Sequence, residues 1–181
     1  MVISRVYTGG GMAANGYRHD FDELFNRGTQ ASSLVGWTLQ VRAVGTSTWI
    51  TWPLSGSIAG NSYVLVRLGQ AANPVDGNDL PTPYLTGTAV DIENGTSVAL
   101  VSSTSAIAPD TCPTGPVDLF GAYIAPCKEA AGFFGGPGYN EAFGRGNVCV
   151  DTNDNGADFM SEPISTSNPP RTSSTALHTC P

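Results

Sequence analysis

An oxygen-rich segment in the last third of the chain has the spacing of a calcium-binding loop. It runs from Asp151 to Glu162 and begins Asp-Thr-Asn-Asp-Asn-Gly. Oxygen side chains at alternate positions can converge on a hard cation, the glycine permits a sharp bend, and a glutamate holds the twelfth position. The candidate ligands are Asp151, Asn153, Asn155, Asp158 and Glu162. A metal-free Asx turn accounts for the same run of residues, so calcium and a hydrogen-bonded turn both stay open.

Few residues could serve as a catalytic base at neutral pH. The two histidines, His19 and His178, lie far apart in sequence, and neither belongs to a nucleophile motif such as Gly-x-Ser-x-Gly. Asp20, Asp22 and Glu23 alternate with apolar residues, so a strand would direct at least one carboxylate toward the core. We expect Glu23 to be buried and to accept backbone hydrogen bonds that fix a loop. The sequence predicts that the protein is not an enzyme and requires no cofactor.

Four cysteines, Cys112, Cys127, Cys149 and Cys180, allow three disulfide pairings. They contain no Cys-x-x-Cys and no histidine at a spacing typical of zinc, so a tetrahedral zinc site is disfavoured. Two disulfides in an oxidising compartment are the better interpretation. The sequential pairing, Cys112–Cys127 and Cys149–Cys180, closes the shortest loops, and we predict it. This places the protein outside the cell or on its surface.

Two further candidate sites lie in turns and loops. Phe133, Phe134 and Tyr139 belong to a glycine-rich loop and are candidates for an aromatic binding platform. Asn94 opens an Asn-Gly-Thr sequence, which is the acceptor pattern for N-linked glycosylation. An ordinary turn is the alternative for this tripeptide.

The charge of the chain excludes two classes of partner. The net charge is −7, and the eight basic residues are scattered singly. Binding of nucleic acid requires clustered Lys and Arg that displace counterions, and an anionic membrane surface attracts similar clusters. No apolar run approaches the ~18–20 residues that span a bilayer, so no membrane insertion is expected.

Short apolar runs separated by Gly, Asn and Pro predict an all-β sandwich of about 8–10 strands with long loops. The predicted strands are Ile3–Tyr7, Phe21–Asn26, Gly36–Ala43, Thr48–Trp52, Ser62–Leu68, Thr88–Ile92, Ser97–Ser102, Val117–Tyr123, Asn147–Asp151 and Ala157–Met160. Residues 1–161 form the predicted sandwich. Residues 162–181 are rich in Ser, Thr and Pro, and we expect them to be an extended C-terminal tail docked on the domain or on a neighbour.

Several segments resemble bacterial lamin-tail domains, in the same order along the chain. They are Ile3–Tyr7 with the glycines that follow, Asp20–Gly28, Leu34–Trp37, Leu54–Ile58, Leu80–Pro83, Val98–Val101, Thr111–Gly115, Cys149–Phe159 and Pro169–Ser173. Residues 129–144 depart from this pattern. The resemblance implies an immunoglobulin-like sandwich, export from the cell, and no chemistry of the domain's own.

Two classes of function follow. The first is a structural or adhesive module, such as a cell-surface or filament subunit that associates with itself or with other surface proteins. The second is a targeting module that accompanies secreted hydrolases or nucleases and presents an aromatic loop to an extracellular polymer. Because lysine is nearly absent and few charges repel neighbouring copies, we also predict self-association through the tail or an open sheet edge.

Overall fold

The apolar runs of the sequence form short strands that pack as an all-β sandwich. The computed structural model describes residues 1–70, 77–87 and 90–181. The elements are β1 (Val2–Tyr7), β2 (Phe21–Phe25), β3 (Ser32–Ser33), β4 (Thr38–Arg42), β5 (Ile50–Pro53), β6 (Ser57–Ile58), β7 (Tyr63–Arg67), β8 (Leu85–Thr86), β9 (Ser97–Val101), β10 (Asp118–Gly121), β11 (Glu141–Arg145), α1 (Asn155–Asp158) and β12 (Phe159–Pro163).

Two antiparallel sheets make the two layers. The six-stranded sheet has the order β12-β11-β1-β2-β7-β8, and only its β7–β8 pair is parallel. The four-stranded sheet has the order β10-β9-β4-β5, and β3 pairs with β6 separately. At one end of the sandwich, β1, β4 and β10 end, at Tyr7, Arg42 and Gly121, and β9 and β11 begin, at Ser97 and Glu141. The loops beside these residues therefore meet at this end.

The core lies between the sheets and draws on both. Alternation in β2, β4 and β7 directs every second side chain inward, and burial of this apolar surface stabilises the fold. In β1 an irregularity between Ile3 and Arg5 lets both Ile3 and Val6 face the core. The buried cluster includes Ile3, Val6, Leu24, Leu39, Val41, Trp52, Val64, Val66, Val98, Leu100, Phe120, Phe143 and Phe159. The ring centroid of Phe120 lies 4.9 Å from that of Phe143 and 4.8 Å from that of Phe159, which joins the four-stranded sheet to the six-stranded one.

Three predicted strands need correction. Asn147–Asp151 forms a turn, and the strand lies before it, at Glu141–Arg145. This strand pairs with β1 and β12, but its glycine and its charged ends give it no strand pattern in the sequence. Residues 157–158 of the predicted Ala157–Met160 belong to α1, because the Asp154 side chain caps its first turn. Residues 88–89 of the predicted Thr88–Ile92 lie outside the described residues, and 90–92 are not a strand.

The C-terminal tail crosses the outer face of the six-stranded sheet of its own chain. Strand β12 continues past the expected boundary at residue 161, so the sandwich includes Pro163. Glu23 is fully buried there and accepts hydrogen bonds from the backbone N–H of Arg171 (2.7 Å) and from its Nε (2.8 Å). The Cys149–Cys180 disulfide fastens the end of the tail. The expectation that Glu23 accepts a backbone hydrogen bond and fixes a loop is thus confirmed.

The buried guanidinium of Arg145 joins the two sheets. Both Nη2 bonds of Arg145 go to the carboxylate of Asp118 on β10, at 2.9 and 2.8 Å. The Nε of Arg145 donates to the carbonyl of Ile3, whose own N–H donates to Asp118. Arg145 and Asp118 are both fully buried. Strands β1, β10 and β11 therefore share one charge-assisted network.

Asp22 is the least satisfied polar group of the core. It lies on β2 between Val6 and Val66, and neither carboxylate oxygen has a hydrogen-bond partner among the described residues. Burial raises the pKa of Asp22 well above its ordinary value.

We expect Asp22→Asn to stabilise the fold at alkaline pH. In the unfolded chain Asp22 ionises above pH ~4, whereas the folded site resists ionisation, so the free energy of unfolding decreases as the pH rises from there. The amide of the variant does not ionise, so its free energy of unfolding does not decrease in this way. Thermal unfolding should show a Tm higher by about 2–6 °C at pH 8, and a difference near zero at pH 4. Asp79→Asn, at a site 82% exposed, is the control and should change Tm equally little at both pH values. A lower Tm for Asp22→Asn at pH 8 would contradict the proposal.

Candidate binding cleft at the loop end of the sandwich

The loops at the end defined by Tyr7, Arg42 and Gly121 surround a cleft of about 390 Å³. Four exposed apolar side chains line it: Met12, Val44, Ile124 and Tyr139. They come from the loop after β1, the loop after β4, the turn after β10 and the loop before β11. A cleft of this size with an apolar lining is a common form of binding site.

An aromatic pair extends the apolar surface beside the cleft. The ring of Tyr123, the neighbour of Ile124 in its turn, lies 4.9 Å from that of Phe134 at an interplanar angle of 63°. Phe134 is 79% exposed, and Tyr123 and Tyr139 are also exposed. Phe133 differs, because its ring packs edge-on against the core residue Phe143 at 5.6 Å. Phe133 therefore anchors the loop that presents Phe134.

A buried tyrosine hydroxyl fixes the loops on one side of the cleft. Tyr7 lies with its hydroxyl 2.8 Å from the carbonyl of Tyr139 and 3.0 Å from that of Gly9, and it accepts the backbone N–H of Tyr17. Burial raises the pKa of Tyr7 to about 12, so the hydroxyl keeps its proton and remains a donor. Gly9 approaches Tyr139 closely, since a Cβ at Gly9 would lie 2.7 Å from the Tyr139 carbonyl oxygen.

Asn94, the predicted glycosylation site, belongs to the wall of the cleft. Its Oδ1 accepts the hydroxyl of Thr8 at 2.6 Å, and its Nδ2 lies 3.5 Å from the carbonyl of Pro137. Thr96 is buried and accepts the backbone N–H of Glu93. The Asn-Gly-Thr tripeptide is thus a hydrogen-bonded turn that links three loops, and glycosylation of Asn94 stays a prediction.

A disulfide holds the turn that carries Tyr123 and Ile124. The structure has the predicted pairing, Cys112–Cys127 and Cys149–Cys180. The backbone of Cys127 exchanges two hydrogen bonds with the Ser97 hydroxyl, at 2.7 and 2.9 Å. This fastens the segment after β10 to the start of β9, and hence to one side of the cleft.

Carboxylates line the remaining side. Asp91 and Glu93 are exposed in the loop before β9, and the described residues that line the cleft include no Lys or Arg. Asp20 lies buried behind them, where it accepts the backbone N–H groups of Gly10 (2.8 Å) and Ile92 (2.9 Å). Burial and, to a lesser degree, the neighbouring carboxylate of Asp91 raise the pKa of Asp20 to about 8. The cleft is therefore apolar on one side and acidic on the other.

The two histidines lie apart in the structure as they do in the sequence. His19 precedes β2 at the cleft end, where burial lowers its pKa. His178 lies in the tail, with its ring 5.9 Å from that of Phe25. They cannot act together on one substrate.

The candidate calcium ligands have hydrogen-bond and ion-pair partners of their own, and calcium binding by this segment stays a prediction. Asp158 accepts hydrogen bonds from Arg145 (2.7 Å) and from the backbone and hydroxyl of Thr152. Asp151 lies 3.5 Å from the same guanidinium and accepts the backbone N–H of Asn153. Arg145 thus supplies the positive charge for both aspartates.

The other candidate ligands face different partners. Asn155 is buried, accepts the backbone N–H of Gly121 (2.8 Å) and donates to the carbonyl of Leu119 (2.8 Å). Glu162, on β12, pairs with Arg5. The regular spacing of oxygen side chains is therefore used to hold β10 and β11 rather than to surround one centre.

Among the described residues, one group of three carboxylates lies near this network. Single carboxylate oxygens of Asp118, Glu129 and Asp151 lie within 4.8 Å of one another. Burial, followed by the charges of Asp118 and Asp151, raises the pKa of Glu129 to about 7. Since Arg145 contacts Asp118 and Asp151 directly, the triad is already compensated by a cation.

The sequence interpretation identified the cleft only in part. Phe134, Tyr139 and Asn94 were predicted, whereas Tyr123 and Ile124 were not. Their signal is a pair of large apolar residues that follows Ala122, just after β10, and is separated from Pro126 by one residue. Asp91 and Glu93, which flank the buried Ile92, were not predicted either.

No family model matches the chain, and no curated protein matches it either. Among the described residues, no helix has the length and apolar character needed to cross a membrane.

We expect calcium to have little effect on stability, because Arg145 occupies the charge position that the cation would take. Thermal unfolding with excess calcium and with a chelator should give the same Tm within about 1 °C, whereas calcium that binds at 100 times its Kd would contribute about 2.7 kcal/mol. A calcium-dependent rise in Tm that Asp158→Asn removes would restore the calcium interpretation.

We expect Arg145→Met to lower the free energy of unfolding by about 3–5 kcal/mol, because it leaves Asp118 buried without its cation. Arg18→Met, at an exposed ion pair, should cost less than about 1 kcal/mol. Urea unfolding measures both. Adding Asp118→Leu to Arg145→Met should recover part of the loss. Equal effects of the two single variants would show that Arg145 has no special role.

Proposed function

We propose that the protein is a non-catalytic extracellular adhesive module, similar to bacterial lamin-tail domains, that binds its partner through the cleft at the loop end. The observation that carries this proposal is the clustering of exposed apolar side chains. Twelve large hydrophobic residues are exposed in the described part of the chain, and six of them belong to the cleft or its aromatic extension. A contiguous exposed apolar surface of this kind marks interaction sites.

Two features support an extracellular setting. The two disulfides suit an oxidising compartment, and one of them fastens a wall of the cleft. The lamin-tail resemblance, which extends along most of the chain, implies export. The resemblance also implies that the domain has no chemistry of its own.

Self-assembly through an edge strand is less well supported than adhesion through the cleft. The edge of β10 is capped by the Asn155 side chain, which bonds Gly121 and Leu119. On the edge strand β12, Pro163 has no N–H, and its carbonyl accepts the Asn168 amide. Such features blunt an edge against strand addition. The tail is engaged with its own sheet, so it is not extended toward a neighbour.

We expect Phe134→Ser to abolish adhesion without unfolding the protein. The purified chain, carrying a fluorescent label, is added to intact cells of the organism that produces it, and saturable attachment is measured against excess unlabelled protein. The variant should bind at least about tenfold more weakly, because Phe134 is the most exposed ring beside the cleft and an aromatic side chain buried at an interface commonly contributes about 1–2 kcal/mol or more.

Leu177→Ser, at a tail position that is 67% exposed, is the matched control and should attach like the wild type. Sedimentation velocity over a range of concentrations tests the filament alternative on the same samples. Attachment that is unaffected by Phe134→Ser, or concentration-dependent polymerisation, would overturn the proposal in favour of a structural subunit.

A further inference from the structure

We infer that the cleft accepts a cationic segment of a partner protein, with a Lys or Arg side chain facing Asp91 and Glu93 and neighbouring apolar residues packed on Ile124, Tyr139 and Phe134. This inference rests on the proposed function, because it concerns the same cleft. It adds the chemistry of the partner.

The negative charge of the cleft favours a positively charged ligand. Among the described residues of its lining, Asp91 and Glu93 carry charge, and both are exposed. Asp20 lies behind them and accepts the backbone N–H groups of Gly10 and Ile92; as a carboxyl group it cannot neutralise Asp91. With a net charge of −7, the whole molecule also attracts cations and repels anionic polymers. A guanidinium or ammonium group is the complement of this site.

The aromatic residues fit the same ligand. A cation near the ring of Tyr139 or Phe134 gains cation–π attraction, and the alkyl stem of Lys or Arg packs on apolar surface. Tyr123 is not counted here, because Lys128 Nζ already lies 6.0 Å from the centre of its ring. A neutral sugar chain would instead require a flat stacking surface. Tyr123 and Phe134 meet at 63°, so the pair offers two inclined rings rather than one plane. A cleft of about 390 Å³ holds a few side chains, which matches a short peptide segment.

A second copy of this chain is a poor source of the cation. Counting only partners within the described residues, six of the seven arginines pair with carboxylates of their own chain, and these are Arg5, Arg18, Arg27, Arg42, Arg145 and Arg171. The single lysine, Lys128, donates to the carbonyls of Tyr123 and Ala125. The partner is therefore a different protein, one that carries a basic and apolar segment on its surface.

Titration of the full-length protein with three probes tests this inference. The probes are a ten-residue peptide with two lysines flanked by leucine and tryptophan, the same peptide with glutamate in place of lysine, and cellohexaose as a neutral sugar. Calorimetry gives the affinity, and the NMR signals of the Asp91–Gly95 amides give the location. The basic peptide should bind at least about tenfold more tightly than either alternative and should shift the NMR signals of these amides. Its affinity should decrease as the salt concentration is raised.

Variants of the two acidic residues test the contribution of charge to peptide binding. Glu93→Gln, at an exposed turn position, should weaken the basic peptide about three- to tenfold, and Asp91→Asn with Glu93→Gln should weaken it further. Asp79→Asn, an exposed carboxylate outside the lining, should bind the peptide like the wild type, and the Tm of each variant verifies folding. Binding of the acidic peptide or of cellohexaose in preference, or binding of the basic peptide unchanged by both acidic-site variants, overturns the inference.

The titration and the adhesion experiment distinguish failure of this inference from failure of the proposed function. If cellohexaose binds and Phe134→Ser removes that binding, the cleft is an adhesive site for a neutral polysaccharide, so the proposed function stands while the cationic partner is wrong. If cell attachment is indifferent to Phe134→Ser, the proposed function itself fails.

Discussion

The buried guanidinium of Arg145 is the interaction on which much of the sandwich depends. It binds Asp118 from the four-stranded sheet, Ile3 from the six-stranded one, and Asp158 from the turn before β12. Its cation also lies 4.7 Å from the centre of the Phe159 ring, at the border of the apolar core. Burying so many charges is costly unless each is paired. The surrounding loops are therefore arranged to satisfy one cation, and a partial arrangement would be unstable.

This constraint divides the molecule into two ends with different tasks. Around Arg145 the side chains are saturated with internal partners, and the tail with its disulfide covers the outer face of the six-stranded sheet. At the opposite end, Asp91, Glu93 and Phe134 have exposed side chains. The loops there are fixed by Tyr7 and by the Cys112–Cys127 disulfide, so the exposed groups are held in place before any partner arrives. Such preorganisation reduces the entropy cost of binding.

Patterns with a local cause were predictable from the sequence. Alternation in Trp37–Val41 and the apolar run Tyr63–Val66 correspond to β4 and β7, because strand periodicity is a property of neighbouring residues. The disulfide pairing also followed from the chain alone. Strand β11 was missed, since Glu-Ala-Phe-Gly-Arg lacks an apolar pattern, and its burial depends on β1 and β12.

The site was harder to predict because its residues meet through the fold. The oxygen spacing of residues 151–162 is the same whether the side chains face calcium or a guanidinium, so it could not reveal that Arg145 lies beside Asp151 and Asp158. Phe133 and Phe134 are adjacent and chemically identical, yet one packs on Phe143 and the other faces solvent. The acidic side of the cleft comes from a loop distant in sequence from both.

The Cys149–Cys180 bond also determines how the module would carry mechanical load. A pull on the end of the tail passes through the two sulfur atoms to Cys149, four residues beyond β11, and bypasses every hydrogen bond of residues 150–179. Strand β1 begins at the same end of the sheet at which β11 ends. Opposed forces on Val2 and Cys180 therefore open the ladder between these strands like a zipper rather than shear it. The first bond in the path is that of Arg145 to Ile3, so one guanidinium would govern the rate of forced unfolding.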